Sequence, residues 1–281
     1  MPLPPHLVDP VIHRALREDL PYLDLSGAWL FPPEHHSAAY LLANAPGVFC
    51  GGAIFCRVFE LLDDTCQFDV KFADGDTFNT NDTLLTLEGP TAALLQGERS
   101  ALNLLQHLCG IATATAELVQ AVAHTSATIT ETRKTLPGLR ALQKYAVTCG
   151  GGRNHRFSLS DAVMLKDNHI DACGSIQAAV QRVREHIGHM TKIEVETRSL
   201  AEVEQAYHAG ADVIMLDNMS LSDMRAAVAW VRANERPVLL EASGDITAAR
   251  AAAVAQTGVD ILSLGSLTHS VTAQNISTRL R

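Results

Sequence analysis

Long apolar runs are missing from this sequence: none approaches the ~18 residues that a membrane-spanning helix requires, so a chain without such spans is expected. Closely spaced cysteine pairs are missing as well. Cys50, Cys56, Cys66, Cys109, Cys149 and Cys173 are scattered, with no Cys-x-x-Cys among them, which fits neither a zinc site nor a disulfide framework. A reducing compartment, the cytoplasm, is the corresponding expectation. The opening stretch MPLPPHLVDP has neither the basic start nor the apolar centre of a secretory signal. Positive charge is in short supply: a net charge of −9 argues against general nucleic-acid binding, because a phosphate backbone rewards a basic surface. No Gly-x-Gly-x-x-Gly follows an apolar run, which removes the usual dinucleotide-binding turn.

What is present is material for a core. Hydrophobic residues make up 47% of the chain and charged residues 19%, the balance of a globular protein. From residue 127 onward short apolar runs alternate with helical periodicity. The runs are 127–132, 162–166, 192–196, 212–217, 237–241 and 260–264; helices are expected over 138–147, 199–210 and 221–233. Ser199, Ser220 and Asp245 stand where helix N-caps belong. Continuous apolar strands joined by crossover helices imply a parallel sheet buried on both faces, hence a barrel or a doubly wound sheet. The first third reads differently, as an α+β module: a helix over 7–19, strands near 38–44 and 67–72, and a hairpin through 74–90. A long helix over 90–123 leads out of it. The expected organisation is an α+β N-terminal domain (1–110), an α/β barrel (111–270), and a tail (271–281) packing back on the first domain.

Charge is unevenly spread. Residues 131–169 hold seven basic side chains against three acidic ones, a local +4 that leaves −13 for the rest of the chain. Arg140 and Lys144, four apart, read as a solvated helix face. The others fall near strand ends, where parallel α/β folds bind ligands. The first strand runs into Arg133-Lys134 and the second ends at Lys166, whereas the third, fourth and fifth end at Glu196, Asp217 and Glu241. If the sheet closes, the rim is basic on one side and acidic on the other, suiting a ligand with anionic groups at one end and a hydroxyl-rich or cation-bound group at the other. Small residues follow the fifth and sixth strands, at Ser243-Gly244 and Gly265-Ser266, where backbone N–H groups can approach a phosphate. In GGGRNHR (150–156) the glycines suit a helix C-cap and loop, and His155 and Arg156 add cationic donors for carboxylate.

The run ETRKTLPGLRALQKYAVTCGGGRNHR, followed by DAVMLKDNH, resembles the quinolinate phosphoribosyltransferase family. GERSALNLLQHLCGIATAT, KIEVET, GADVIMLDN, LLEASGDI and LGSLTHS are similar to its motifs in order and spacing, from about residue 9 to the C-terminus. The resemblance implies a type II phosphoribosyltransferase-like fold: an α+β N-terminal domain before an irregular α/β barrel. It implies transfer of phosphoribose from phosphoribosyl pyrophosphate to quinolinate with decarboxylation, in NAD biosynthesis, with Mg²⁺. It also implies a homodimer, or a higher assembly, whose active sites are shared between subunits. By motif, Arg133, Lys134, His155, Arg156 and Lys166 would take the pyridine carboxylates, Thr132 would bind substrate beside them, and Arg99 of GERSALN would come from the neighbouring subunit. Glu196 and Asp217 would hold the ribose hydroxyls and Mg²⁺. Ser243, Gly244, Gly265 and Ser266 would bind the 5-phosphate. Lys134, Lys166, Glu196 and Asp217 are the expected catalytic groups.

The chain departs from the family pattern at Pro21-Tyr22-Leu23, at Ser158 where glycine is usual, and at Asp245 beside the phosphate loop. Asp245 would repel phosphate unless it caps the next helix, which is the expectation here. Three other readings stay open on the residues alone. One is a molybdenum-transport-associated paralogue, which generally lacks the Lys166–His169 run. Another is a Schiff-base aldolase using Lys166, which would need that lysine in an apolar pocket. The third is an anion-binding module without turnover.

Overall fold

Apolar residues at helical spacing build the first helix, Pro5–Asp19, where Val8, Ile12 and Leu16 come round to one buried side every four residues. A proline at its start suits the position whose amide has no intrahelical partner. The structure, a computed structural model, describes residues 3–281. The chain forms two compact units, one comprising residues up to Ala116 with Thr135–Gly151 and Leu267–Arg281, the other Glu117–Lys134 with Gly152–Ser266. The helix Thr91–Val122 contributes to both.

The first unit is built on an antiparallel sheet in the order Ile276–Leu280, His36–Ala43, Thr83–Pro90, Gln67–Val70. Alternation decides which side is core: Ala39, Leu41 and Ala43 are buried while their neighbours are not. The hairpin expected through 74–90 does not form. Thr77–Phe78 pairs with Gly47–Val48, and Thr83–Pro90 pairs with its two neighbours in the large sheet. A turn at Asn81, left-handed at φ 72°, separates the two strands, and the buried Phe78 ring anchors the shorter one. The helix Arg140–Cys149, grouped with the barrel by its place in the sequence, counts with this first unit, because Leu142, Ala146 and Val147 sink into its core. The expected solvated face is not there. Lys144 is fully buried and Arg140 is half-buried, donating to Thr135 Oγ1 at 3.0 Å; with five of ten residues buried, the helix is enclosed on more than one side.

The second unit carries six parallel strands in the order Thr128–Thr130, Ile261–Ser263, Leu239–Ser243, Val213–Asp217, Ile193–Thr197, Val163–Leu165. They are called first to sixth below by sequence. Central residues such as Val195, Ile214, Leu216, Leu240 and Ala242 have no exposed surface, as a sheet covered on both faces requires. The barrel is not closed by hydrogen bonds: the first and second strands are the two edges. Arg153 lies in bridge register beside Thr130 on the first edge, its amide donating to Ile129 at 2.8 Å. Ser199 and Ser220 cap their helices as expected, accepting from the amides of Glu202 and Asp223. No described helix is long and apolar enough to cross a membrane.

Candidate active site

The carboxyl ends of the six strands surround a cavity of about 580 Å³, within the usual size of a small-molecule site. It is lined by Thr132, Arg133 and Lys134 after the first strand, His155 and Arg156 from the glycine-led loop, and Lys166 after the second strand. Glu196, Asp217, Ser243 and Gly244 follow from the third, fourth and fifth. Ten residues expected from sequence are thus brought together. Gly265 and Ser266 are not in the lining, nor is Arg99, which lies exposed on the helix Thr91–Val122 in the first unit. Glu241, expected on the acidic side of the rim, and Asp245, expected beside the phosphate loop, also line the cavity, and Asn218, Met164, Met215 and Ser263 join them without having been expected there.

Local chemistry explains each placement. The Thr132 hydroxyl accepts the Lys134 amide at 3.0 Å and so shapes the turn that projects the two cations. Lys166 is the N-cap of the short helix Asp167–Cys173, and its amide donates to His169 Nδ1 at 3.0 Å. Its ammonium is paired with Glu196 at 3.2 Å and half exposed, not the apolar setting a Schiff-base lysine needs. Arg156 donates through Nη1 to the Ala162 carbonyl at 2.8 Å. Burial, and then the charge of Arg133, pull its guanidinium below the ordinary range. Two cations held this way in one half-buried pocket raise each other's free energy, and an anion between them would relieve it.

Beneath the cations lies a buried acid cluster. His155 Nε2 is 3.3 Å from Glu194 and 3.2 Å from Glu241, and the His155 amide donates to Glu131 at 3.0 Å. Burial alone would lower the His155 value, but hydrogen bonds and charge from the two glutamates raise it to about 10. An amide N–H from Arg156 reaches Nδ1 at 2.7 Å, a contact suited to a neutral ring. The two carboxyl groups at Nε2 favour the charged ring by more than that one bond, worth ~1 kcal/mol, favours the neutral one. Burial and the facing Glu241 push the Glu194 carboxyl up. Neither Glu131 nor Glu194 was expected at the site. The signal lay in period-2 alternation: Glu194 and Glu196, two apart on one strand, point to the same side.

At the fifth strand end the backbone is left-handed at Gly244 (φ 88°), Asp245 (φ 44°) and, at the end of the adjacent fourth strand, Asn218 (φ 52°). A Cβ on Gly244 would come within 2.2 Å of Asn218 Oδ1, so only glycine fits. Asp245 does not cap the next helix. Thr247 holds that position before Ala248–Ala255, and Asp245 is exposed at the cavity because its left-handed φ belongs to the turn and not to the extended backbone of an N-cap. Ser158, another departure, accepts the Ser160 amide and donates to Asp161 in a tight surface turn.

Fold and rim together define a parallel α/β protein with a charge-segregated pocket at the carboxyl ends of its strands, built for a small anionic ligand. The chain belongs to the quinolinate phosphoribosyl transferase family, matching its N-terminal domain over residues 24–109 and its C-terminal domain over 111–279. It is 46% identical over 267 residues to the probable nicotinate-nucleotide pyrophosphorylase [carboxylating] of Bacillus subtilis, covering 95% of this chain and 91% of that one. The human nicotinate-nucleotide pyrophosphorylase [carboxylating] is 36% identical over 280 residues, covering 99% and 93%. The crystal structure of NadC from Streptococcus pyogenes superposes with a TM-score of 0.95 at 41% identity, covering 100% and 99%.

Proposed function

We propose that this chain transfers the phosphoribosyl group of phosphoribosyl pyrophosphate to quinolinate, with decarboxylation to nicotinate mononucleotide and release of pyrophosphate, in the cytoplasm. The observation that carries the reading is the division of one cavity between Arg133, Lys134, His155, Arg156 and Lys166 on one side and Glu196 and Asp217 on the other. The cationic side would hold the two pyridine carboxylates. The ring nitrogen is itself the nucleophile: it bonds to the anomeric carbon as the bond to pyrophosphate breaks. The pyridinium then accepts the electron pair left when the adjacent carboxylate departs as carbon dioxide, and that carbon takes up a proton. Such chemistry needs positioning and charge compensation, not a Ser or Cys nucleophile.

Glu196 and Asp217 end adjacent strands and offer half-buried carboxylate oxygens, the donor type Mg²⁺ prefers. They would hold the ion, which would supply charge neutralisation for the pyrophosphate, and the ribose hydroxyls. Ser243 and Gly244, with Gly265 and Ser266, would receive the 5-phosphate. Arg99 would complete the site of a second copy in a homodimer. Incubation with quinolinate, phosphoribosyl pyrophosphate and Mg²⁺ tests the reading: nicotinate mononucleotide and pyrophosphate should appear together. Binding of quinolinate without turnover would leave an anion-binding module instead.

A further inference from the structure

We infer that Cys50 and Cys149 form an oxidisable dithiol site, which a hydroperoxide closes to a disulfide within the first unit. The two sulfurs and one oxygen of Asp74 lie within 4.8 Å of one another. Cys50, fully buried, stands in the loop before the helix Gly52–Glu60, and Cys149, partly exposed, ends the helix Arg140–Cys149. A disulfide has sulfurs about 2.05 Å apart, so closure brings together two sulfurs that lie no more than 4.8 Å apart.

The pair is chemically asymmetric in the way the reaction needs. Cys50, whose sulfur lies within 4.8 Å of the Cys149 sulfur, is the main influence holding the Cys149 thiol below its ordinary range despite partial burial. The proximity of Cys149, with burial, pushes the Cys50 thiol well up. Cys149 is therefore the thiolate that attacks, and it is the one a solute can reach. In the first step its sulfur bonds to a peroxide oxygen, the O–O bond breaks, and an alcohol or water leaves. In the second, Cys50 sulfur attacks the sulfenic sulfur, the S–O bond breaks, and the Cys50 proton leaves with the hydroxyl as water. Two thiols are oxidised and one peroxide is reduced.

Metal ligation fits the cluster less well. Asp74 is already engaged, Oδ1 accepting the Gly51 and Gly52 amides at 2.9 and 3.2 Å and Oδ2 accepting the Tyr145 hydroxyl at 2.6 Å. Two sulfurs with such a carboxylate fall short of the four-ligand sets of structural zinc sites. Cys109 is a built-in control. It accepts the Cys50 amide at 3.3 Å, and burial pushes its thiol up to about 12, so it lies beside Cys50 without being a competent attacker.

The test treats the whole chain with hydrogen peroxide in the presence of a chelator, alkylates the remaining thiols, digests without reduction and sequences the peptides by mass spectrometry. Two thiols per chain should be lost, with a Cys50–Cys149 cross-linked peptide that dithiothreitol reverses and that Cys149→Ser abolishes. Because Cys50→Ser alters a fully buried position, Cys149→Ser and the unmodified chain carry the test. Recovery of Cys149 as sulfenic or sulfinic acid with Cys50 alkylated, a Cys50–Cys109 link, or six intact thiols would each overturn the proposal.

Discussion

Arg156 is pulled below its ordinary range by burial and by Arg133, so an anion seated against both would gain more than it would from either alone. Arg156→Ala and Lys134→Ala should each weaken quinolinate binding by roughly 10–150-fold, the loss of one charge-assisted hydrogen bond, with unchanged thermal unfolding; isothermal titration checks it. The His155 cluster makes a prediction in pH. Its folded value, about 10, exceeds the unfolded one, about 6.5. The stability it contributes is therefore complete below about pH 6.5 and lost as pH rises through about 10. Removing one carboxylate partner, as in Glu241→Gln, should move that loss, and the accompanying drop in quinolinate affinity, to lower pH. Unfolding midpoints and titrations across pH 7–10.5 in the two proteins would show coincident profiles if the cluster did not hold the charge.

At the scale of elements, the strand ends do most of the placing, and two aspartates keep those strands in register. Asp212 accepts the Ile193 amide and pairs with Arg184, while Asp260 accepts the Leu240 amide and pairs with Arg232. In each case the carboxylate before one strand holds the start of its neighbour, so the opposite ends meet the cavity at a common level. The turn after the fifth strand is less forgiving. Gly244→Ala places a Cβ against Asn218 in a left-handed backbone, which should cost ~1–3 kcal/mol in denaturant unfolding and weaken use of phosphoribosyl pyrophosphate more than quinolinate binding. On the neighbouring strand ends, Glu196→Gln and Asp217→Asn should raise the Mg²⁺ requirement of turnover and leave quinolinate affinity nearly intact. Loss of quinolinate affinity with a normal Mg²⁺ response would reverse the roles given to the two halves of the rim.

For the whole molecule, the question is where Arg99 acts. It is exposed on a helix of the first unit and outside the lining of the cavity, and in a two-fold assembly a residue remote from its own site can complete another. Arg99→Ala and Lys134→Ala, each assayed at a low quinolinate concentration where it alone turns over little, should regain activity when unfolded and refolded together. Half the dimers would be mixed, and each mixed dimer would carry one intact site, so about a quarter of wild-type activity is expected. Mixed dimers verified by mass, with activity no higher than the separate variants, would place Arg99 outside the shared site.

The alternation of apolar strands and helices, the two caps Ser199 and Ser220, and nine of the cavity residues were legible in the residues themselves, because periodicity, strand-end position and loop composition are local properties; Thr132 came only with the family resemblance. The hairpin through 74–90, the solvated face at Lys144 and the cap at Asp245 were misjudged for one reason: each depends on what a segment packs against, and that is decided by residues distant in sequence. The same holds for the groups that sequence left unconnected. His155, Glu194 and Glu241 lie on three separate segments, and Cys50 and Cys149 on two segments far apart in the sequence. Burial brings such groups within a few ångströms, removes water from between them, and thereby sets their charge states. The sequence by itself determined the elements and the chemistry available at their ends; only the tertiary structure decided which of those side chains share a dielectric and can act on one another.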